Sequence, residues 1–257
     1  MIKAGKEHVL AVIPARFAST RFPGKMVAPL GGKPLVYHTY LRACEAQLVS
    51  EVVVAADDER IRLALEPYGV SVVMTRPDHP SGTDRIAEVA ASRDASIIVN
   101  VQGDEPLIDP NTIDEAVQAL LDNPGVPMAT ARRAISDPRE IEDPNIVKVV
   151  CDGRGRALYF SRYPIPYVRD VALRAEPPAC HWQHIGLYVY RRDFVIQFAQ
   201  WAPAPLEELE KLEQLRVLEN GYPIVVVTTQ YRSIGVDTPE DLERVGNMLE
   251  GALEGMR

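Results

Sequence analysis

Arg16, Arg21 and Lys25 lie in the stretch Ile13-Pro14-Ala15-Arg16-Phe17-Ala18-Ser19-Thr20-Arg21-Phe22-Pro23-Gly24-Lys25, which holds no acid. Arginine forks pair with phosphate oxygens, lysine adds a compact charge, and backbone N–H groups near Gly24 could complete a cradle. The chemistry this suits is capture of a small phosphorylated anion; a solvated basic loop is the competing reading. In Val99-Asn100-Val101-Gln102-Gly103-Asp104-Glu105-Pro106, two acids and an amide follow an apolar run beside a glycine. A hard cation such as Mg²⁺ takes one or two carboxylates plus substrate oxygens, and Asp104 is the favoured ligand. Asp237, in Gly235-Val236-Asp237-Thr238-Pro239, is a candidate second carboxylate for that cation, or only an acid preceding a helix. Pro80-Ser81-Gly82-Thr83-Asp84 offers hydroxyls and open backbone that could read a base or ribose. Capping of a helix by Ser81 or Thr83 competes with that reading.

Arg162, Arg169, His184, Glu213 and Gln214 form a further group, in which two arginines suit a substrate carboxylate. His181 and His184 have no cysteine or acid motif beside them, which argues against zinc. Gly31-Gly32-Lys33-Pro34 lacks the upstream glycine and the Ser/Thr of a P-loop, so Lys33 reads as structural. No Gly-x-Gly-x-x-Gly and no Gly-x-Ser-x-Gly occurs, which disfavours a nicotinamide oxidoreductase and a serine hydrolase.

These residues must be positioned by the elements around them. Val9–Ile13 is a buried-strand run, followed by a loop to Lys33. A helix with Pro34 at its first position would bury Tyr37, Leu41, Cys44 and Leu48 on one face. Strands are expected at 52–55, 70–74 and 97–101, and helices from Asp57 or Asp58 through Leu65, at 84–93 and at 110–121. Such alternation implies right-handed crossovers and a mostly parallel sheet flanked by helices, with sites at the carboxyl ends of strands. The second half changes character. Strands are expected at 128–134, 146–151, 157–160 and 184–190, with Asp152-Gly153 as a hairpin turn. Helices follow near 193–200 and 206–219, then a strand at 224–229. Thr238 and Pro239 would open a last helix.

Of 257 residues, 46% are hydrophobic and 25% charged, which excludes disordered, collagen-like and coiled-coil chains. The net charge of −8 is a poor match to sequence-independent nucleic-acid binding. No run approaches the ~20 apolar residues of a membrane span, and the first residues lack a signal-peptide core, so a cytoplasmic location is expected. Three scattered cysteines favour neither a disulfide framework nor a structural zinc site.

Several stretches together resemble one family. IPARFASTRFPGK, GGKPLVYHTY, MTRPDHPSGTDRIAE, VNVQGDEPLI, NIVKVV, ALYFSRYPIPY, HIGLYVYRRDF, LEKLEQLRVLENG and GVDTPEDLERV are similar to segments of the 3-deoxy-manno-octulosonate cytidylyltransferases, or CMP-Kdo synthetases. Phe17 and Phe22 depart from the usual Tyr or Leu. The resemblance implies an α/β nucleotide-diphospho-sugar transferase fold, Rossmann-like, forming a single domain over residues 1–257. It also implies a smaller mixed α/β lobe from about 126–205 for dimerisation and sugar binding, and a homodimer. The implied reaction is CTP plus 3-deoxy-D-manno-octulosonate (Kdo) giving CMP-Kdo and diphosphate, for lipopolysaccharide synthesis. It would proceed with Mg²⁺ and by in-line attack of the anomeric hydroxyl.

By that resemblance, Arg16, Arg21 and Lys25 hold the CTP phosphates, Ser81 and Gly82 lie near the cytidine, and Gln102 touches nucleotide or sugar. Asp104 and Asp237 hold Mg²⁺. Arg162, Arg169, His184, Glu213 and Gln214 bind the acid sugar, with Tyr188 nearby. The rivals are an enzyme resembling a CMP-sialic acid synthetase and a catalytically silent nucleotide-binding module.

Overall fold

A computed structural model describes residues 7–18, 21–170, 181–232 and 234–254, the last five by backbone alone. In chain order the elements are β1 (Val9–Ala15), β2 (Pro29–Leu30), β3 (Lys33–Pro34), α1 (Leu35–Cys44), β4 (Glu51–Ala56), α2 (Glu59–Leu65), β5 (Val72–Met74), α3 (Gly82–Ala91), β6 (Ile97–Asn100) and α4 (Pro110–Asp122). They continue with β7 (Met128–Ala134), α5 (Pro138–Glu142), β8 (Lys148–Cys151), β9 (Ala157–Ser161), β10 (Trp182–Arg191), α6 (Arg192–Phe198), α7 (Pro205–Glu210), α8 (Gln214–Glu219), β11 (Ile224–Thr228) and α9 (Pro239–Glu254). The chain divides into two compact units, residues 1–114 with 233–257, and residues 115–232.

The first unit is built on parallel strands in the order β6-β1-β4-β5. Leu10 to Ile13 and Val53 to Ala56 are wholly buried, as expected of strands covered on both faces. Because the strands are parallel, the residues following β1, β4, β5 and β6 emerge at one edge of the sheet. Helices α1, α2 and α3 pack against these strands.

The glycines of Gly31-Gly32 have φ of 56° and 77°, the left-handed pair that a two-residue hairpin requires, and they join β2 to β3. Pro34 ends that hairpin with ψ 139° and so caps α1 instead of opening it. The buried face of α1 is Leu35, Val36, Thr39 and Ala43, not the expected Tyr37, Leu41, Cys44 and Leu48. Small residues let α1 approach β1 and β4, while Tyr37 packs on Tyr68 at 4.5 Å and Leu41 and Cys44 stay exposed. Helix α3 begins two residues before the expected start because Ser81 and Asp84 form a reciprocal cap. At α9, Asp241 accepts from the Thr238 N–H and Thr238 Oγ1 accepts from the Asp241 N–H, as the Thr-Pro signal implied. Leu30, Leu35, Val236 and Val245 form a cluster that ties α9 to the β2–β3 hairpin.

In the second unit β7 lies between β11, parallel to it, and β10, antiparallel. Strand β8 pairs antiparallel with β10 and β9. The left-handed residue of the β8–β9 turn is Gly155, not Gly153: Asp152 Oδ1 accepts the N–H groups of Arg154 and Arg156, each at 2.8 Å. Helix α5, which is not among the expected elements, begins with Pro138 and is capped by Asp137, whose side chain accepts from the Arg139 N–H. The single helix expected over 206–219 is two. Lys211, with φ 54° and ψ 49°, breaks it, and the break lets Arg216 turn back onto Glu207 with bonds of 2.6 and 2.5 Å.

Candidate active site

A backbone bond from the Gly24 N–H to the Phe17 carbonyl, at 3.0 Å, closes the loop after β1. Gly24 has φ 72°, and a side chain there would meet the Phe17 ring. The three cations of this loop have different partners. Arg16 Nη2 donates to the His79 carbonyl at 2.7 Å, and Arg21 Nη2 lies 3.1 Å from Asp237 Oδ1. Lys25 is buried, at 6% exposure, and its ammonium donates to Asp104 Oδ2 at 2.7 Å and to Asp237 Oδ1 at 3.2 Å. Ser19 and Thr20 lie outside the described residues.

Asp104 is placed by its own neighbours. Gly103 is packed so closely that a Cβ would lie 2.9 Å from the Pro14 carbonyl, and its carbonyl accepts from Thr39 Oγ1 at 3.0 Å. The Val236 N–H donates to the Asp104 carbonyl at 2.9 Å, which draws the segment before α9 alongside. Asp237 is steadied by its N–H, which donates to Asp241 Oδ2 at 3.1 Å. Burial works to raise the Asp241 carboxyl, but the N–H groups of Asp237 and Thr238 outweigh it and hold the carboxyl below its usual range. Two aspartates far apart in sequence thus converge on one ammonium, with a guanidinium beside them. Glu105, the other acid of that stretch, is buried.

The other residues expected to touch the nucleotide are in the same unit. Ser81 Oγ is engaged in capping, accepting from the Thr83 and Asp84 N–H groups and donating to Asp84 Oδ2 at 2.6 Å. Gly82 lies against Pro14, where a Cβ would be 3.6 Å from the ring. Gln102 Nε2 donates to Asn100 Oδ1 at 3.1 Å. Among the described residues no three His, Cys, Asp or Glu side chains form a metal cluster.

The residues expected to bind the sugar lie in the second unit. His184 Nε2 is 2.8 Å from Thr130 Oγ1, and its ring lies near Phe160 and Tyr188. Burial depresses its pKa to about 3, so the imidazole is neutral. Tyr188 donates to Gln214 Oε1 at 3.2 Å, and the buried Gln214 Nε2 has no partner among the described residues. His184, Tyr188 and Gln214 are therefore assembled, with Glu213 adjacent at the start of α8. Arg162 is held by carbonyls: Nε donates to Glu210 O at 2.7 Å, Nη1 to Pro144 O at 3.0 Å and Nη2 to Lys211 O at 3.4 Å. Arg169 is exposed. Cys180 lies outside the described residues.

Sequence reasoning overlooked several buried groups. Arg85 is fully buried and reaches Asp57, and Lys148 is fully buried with its ammonium on the carbonyls of Asp143 and Ile146. Desolvation lowers the pKa of both. Neither residue type nor local pattern signals such burial. Asp57 had a signal, the Asp57-Asp58 pair after β4. Asp58 is the helix cap, and this leaves Asp57 free to accept from the Phe17 N–H at 2.9 Å.

A family model described as cytidylyltransferase matches residues 10–230. A protein of Solibacter usitatus named 3-deoxy-manno-octulosonate cytidylyltransferase is 55% identical, covering 96% of this chain and 97% of that protein. The chain belongs to the 3-deoxy-manno-octulosonate cytidylyltransferase family. A Geobacter sulfurreducens protein of the same name is 56% identical over 93% of this chain and 98% of its own length. The solved structure of CMP:2-keto-3-deoxy-manno-octonic acid synthetase complexed with CTP is 40% identical, with a TM-score of 0.90 over 96% of this chain and 100% of that one. Membership of this family accounts for the α/β architecture and for the near-complete span of the resemblance.

Proposed function

We propose that the chain transfers the cytidylyl group of CTP to Kdo, giving CMP-Kdo and diphosphate, an activated precursor for lipopolysaccharide. The observation that carries the chemistry is the convergence of Asp104 and Asp237 on the Lys25 ammonium, beside Arg21. Names and near-full-length identity of the relatives supply the nucleotide and the sugar. The reaction joins two anions while charge develops on a leaving diphosphate, so positioning and electrostatics must do most of the catalysis.

The two aspartates fit Mg²⁺. They are adjacent carboxylates already gathered about one positive charge, and a nucleotide supplies the remaining oxygens such an ion takes. Asp104 and Asp237 would hold it. When bound, Mg²⁺ supplies Lewis-acid polarisation of phosphate oxygens and lowers the pKa of a hydroxyl it contacts. Arg16, Arg21 and Lys25 would offset the charge of the triphosphate. The Gly103 carbonyl and the Val236 N–H keep Asp104 and Asp237 in register without help from a ligand. For the sugar, the unpartnered Gln214 amide and the neutral His184 offer hydrogen bonds to hydroxyls, and the exposed Arg169 would face the carboxylate, whereas Arg162 would share it only by giving up a carbonyl partner. We assign the reaction to the cytoplasm and to a homodimer, as the family resemblance implies.

Diphosphate release tests this reading, with CTP and other nucleoside triphosphates offered against Kdo, 8-amino-Kdo and sialic acid, with and without Mg²⁺. Fastest release is expected from CTP and Kdo, and only with Mg²⁺. Preference for sialic acid, or CTP binding without turnover, would replace the proposal by one of its rivals.

A further inference from the structure

Arg16 and Lys25 can act on one ligand only if their spacing is fixed, and the contacts of Phe17 are what fix it among the described residues. Its N–H donates to Asp57 Oδ1 at 2.9 Å, and its carbonyl accepts the Gly24 N–H at 3.0 Å. Its ring touches the Cβ position of Gly24 at 3.4 Å and lies 3.5 Å from the Arg60 guanidinium carbon. Arg60 is in turn held by Asp58, through Nε at 2.8 Å and Nη2 at 2.6 Å. Those bonds pull the Asp58 carboxyl down to about 2, so it is ionised at any working pH. Asp57 is largely buried and has a second task. Its Oδ2 lies 3.4 Å from Arg85 Nη2, and the guanidinium of Arg85 is fully buried with Nε unpartnered.

From these contacts we infer that Asp57 and Arg60 are positioning residues for the cationic loop: by fixing Phe17 they set the spacing of Arg16, just before the clamp, and Lys25, just after it. Neither needs to touch substrate. The inference deepens the proposed function and rests on it only in naming the ligand as a triphosphate. Loss of the clamp releases the Phe17–Gly24 closure, so the loop must be ordered again when anions bind, and binding weakens accordingly. The effect falls on ligands that carry the β- and γ-phosphates.

The test measures CTP, diphosphate and CMP binding by calorimetry, in the presence of Mg²⁺ and without sugar. The variants are Asp57→Ala, Asp57→Asn, Arg60→Ala and Arg60→Met. Arg60 is exposed, so its variants are expected to fold even if Asp57→Ala, which leaves Arg85 unbalanced, does not. Arg60→Ala should weaken diphosphate and CTP about threefold, the scale of an exposed cation–ring contact, and leave CMP unchanged. Arg60→Met, which keeps a cover on the ring, should recover most of that loss. Asp57→Ala should weaken diphosphate about tenfold or more, and Asp57→Asn, which retains an oxygen for the Phe17 N–H, less. Equal losses for CMP and diphosphate, or none in the Arg60 variants, would overturn the inference. Wild-type protein that binds neither CTP nor diphosphate would instead overturn the functional reading.

Discussion

Asp104→Ala is the sharpest probe of the site, because its effects on stability and on turnover can be worked separately. Lys25 Nζ lies 2.7 Å from Asp104 and 3.2 Å from Asp237, with the lysine side chain 7% exposed. At an effective dielectric constant near 20, the gross attractions are about 6 and about 5 kcal/mol. Deleting Asp104 therefore leaves the ammonium with roughly half of its compensation. A wholly stranded buried charge costs about 3–5 kcal/mol, and a lost hydrogen bond to a charged group about 1.5–3. A destabilisation of about 2 kcal/mol is expected, which lowers Tm by about 4–8 °C in a chain of this size.

Turnover should fall about a hundredfold or more, the scale of one preorganised charge contact in a transition state. Lys25→Met added to Asp104→Ala should cost no further stability, since no ammonium then needs a partner. The two changes are expected to couple by about 2 kcal/mol. Thermal unfolding without nucleotide measures the first part, and diphosphate release with Mg²⁺ the second. Additive losses in the double variant would refute the account of Lys25, and near-normal Mg²⁺-dependent turnover in Asp104→Ala would remove Asp104 from the chemistry.

Other consequences are equally open to measurement. Gly103→Ala forces a methyl group toward the Pro14 carbonyl at 2.9 Å and Met26 Sδ at 3.1 Å, so denaturant unfolding should show a loss of about 1–3 kcal/mol; an unchanged midpoint would contradict the packing. His184 titrates at about 3 when folded and near 6.5 when unfolded, so between those values the unfolded chain binds more protons. Stability due to this residue is full above about pH 6.5 and falls as pH drops toward 3, by about 1.4 kcal/mol per unit. Urea unfolding at pH 7, 6 and 5 should show a flatter profile for His184→Gln, and an identical slope would count against burial of the imidazole. Breaking the Arg216–Glu207 pair by Glu207→Ala should cost about 3–5 kcal/mol, whereas Glu207→Leu with Arg216→Met should recover most of it by thermal unfolding. Equal losses in the single and the double variant would show that the pair is not what matters there.

Local pattern carried much of this protein. The apolar runs at Val9–Ile13 and Ile97–Val101 marked buried parallel strands. Thr238-Pro239 marked the start of α9, and the acid-free stretch from Arg16 to Lys25 marked a cationic loop. Each of these is written in neighbouring residues, whose effects on φ, ψ and burial act within a turn or two. The errors came where distant groups intervene. On α1 hydrophobicity names candidates for burial, while small residues at 39 and 43 decide how closely the helix packs and so which face is buried. The pattern over 206–219 is that of one continuous helix, since nothing local announces that Arg216 folds back on Glu207 across Lys211.

Sequence alone established which residues carry charge, in what order, and on which side of a strand they emerge, since those properties follow from composition and short-range periodicity. Tertiary structure decided which of them meet. The convergence of Asp104 and Asp237 on Lys25 depends on the Val236 N–H reaching the Asp104 carbonyl, and the clamp on Phe17 depends on β4 lying beside β1. Such contacts join residues separated by many turns of chain, and their energies exist only once the core that brings them together has formed.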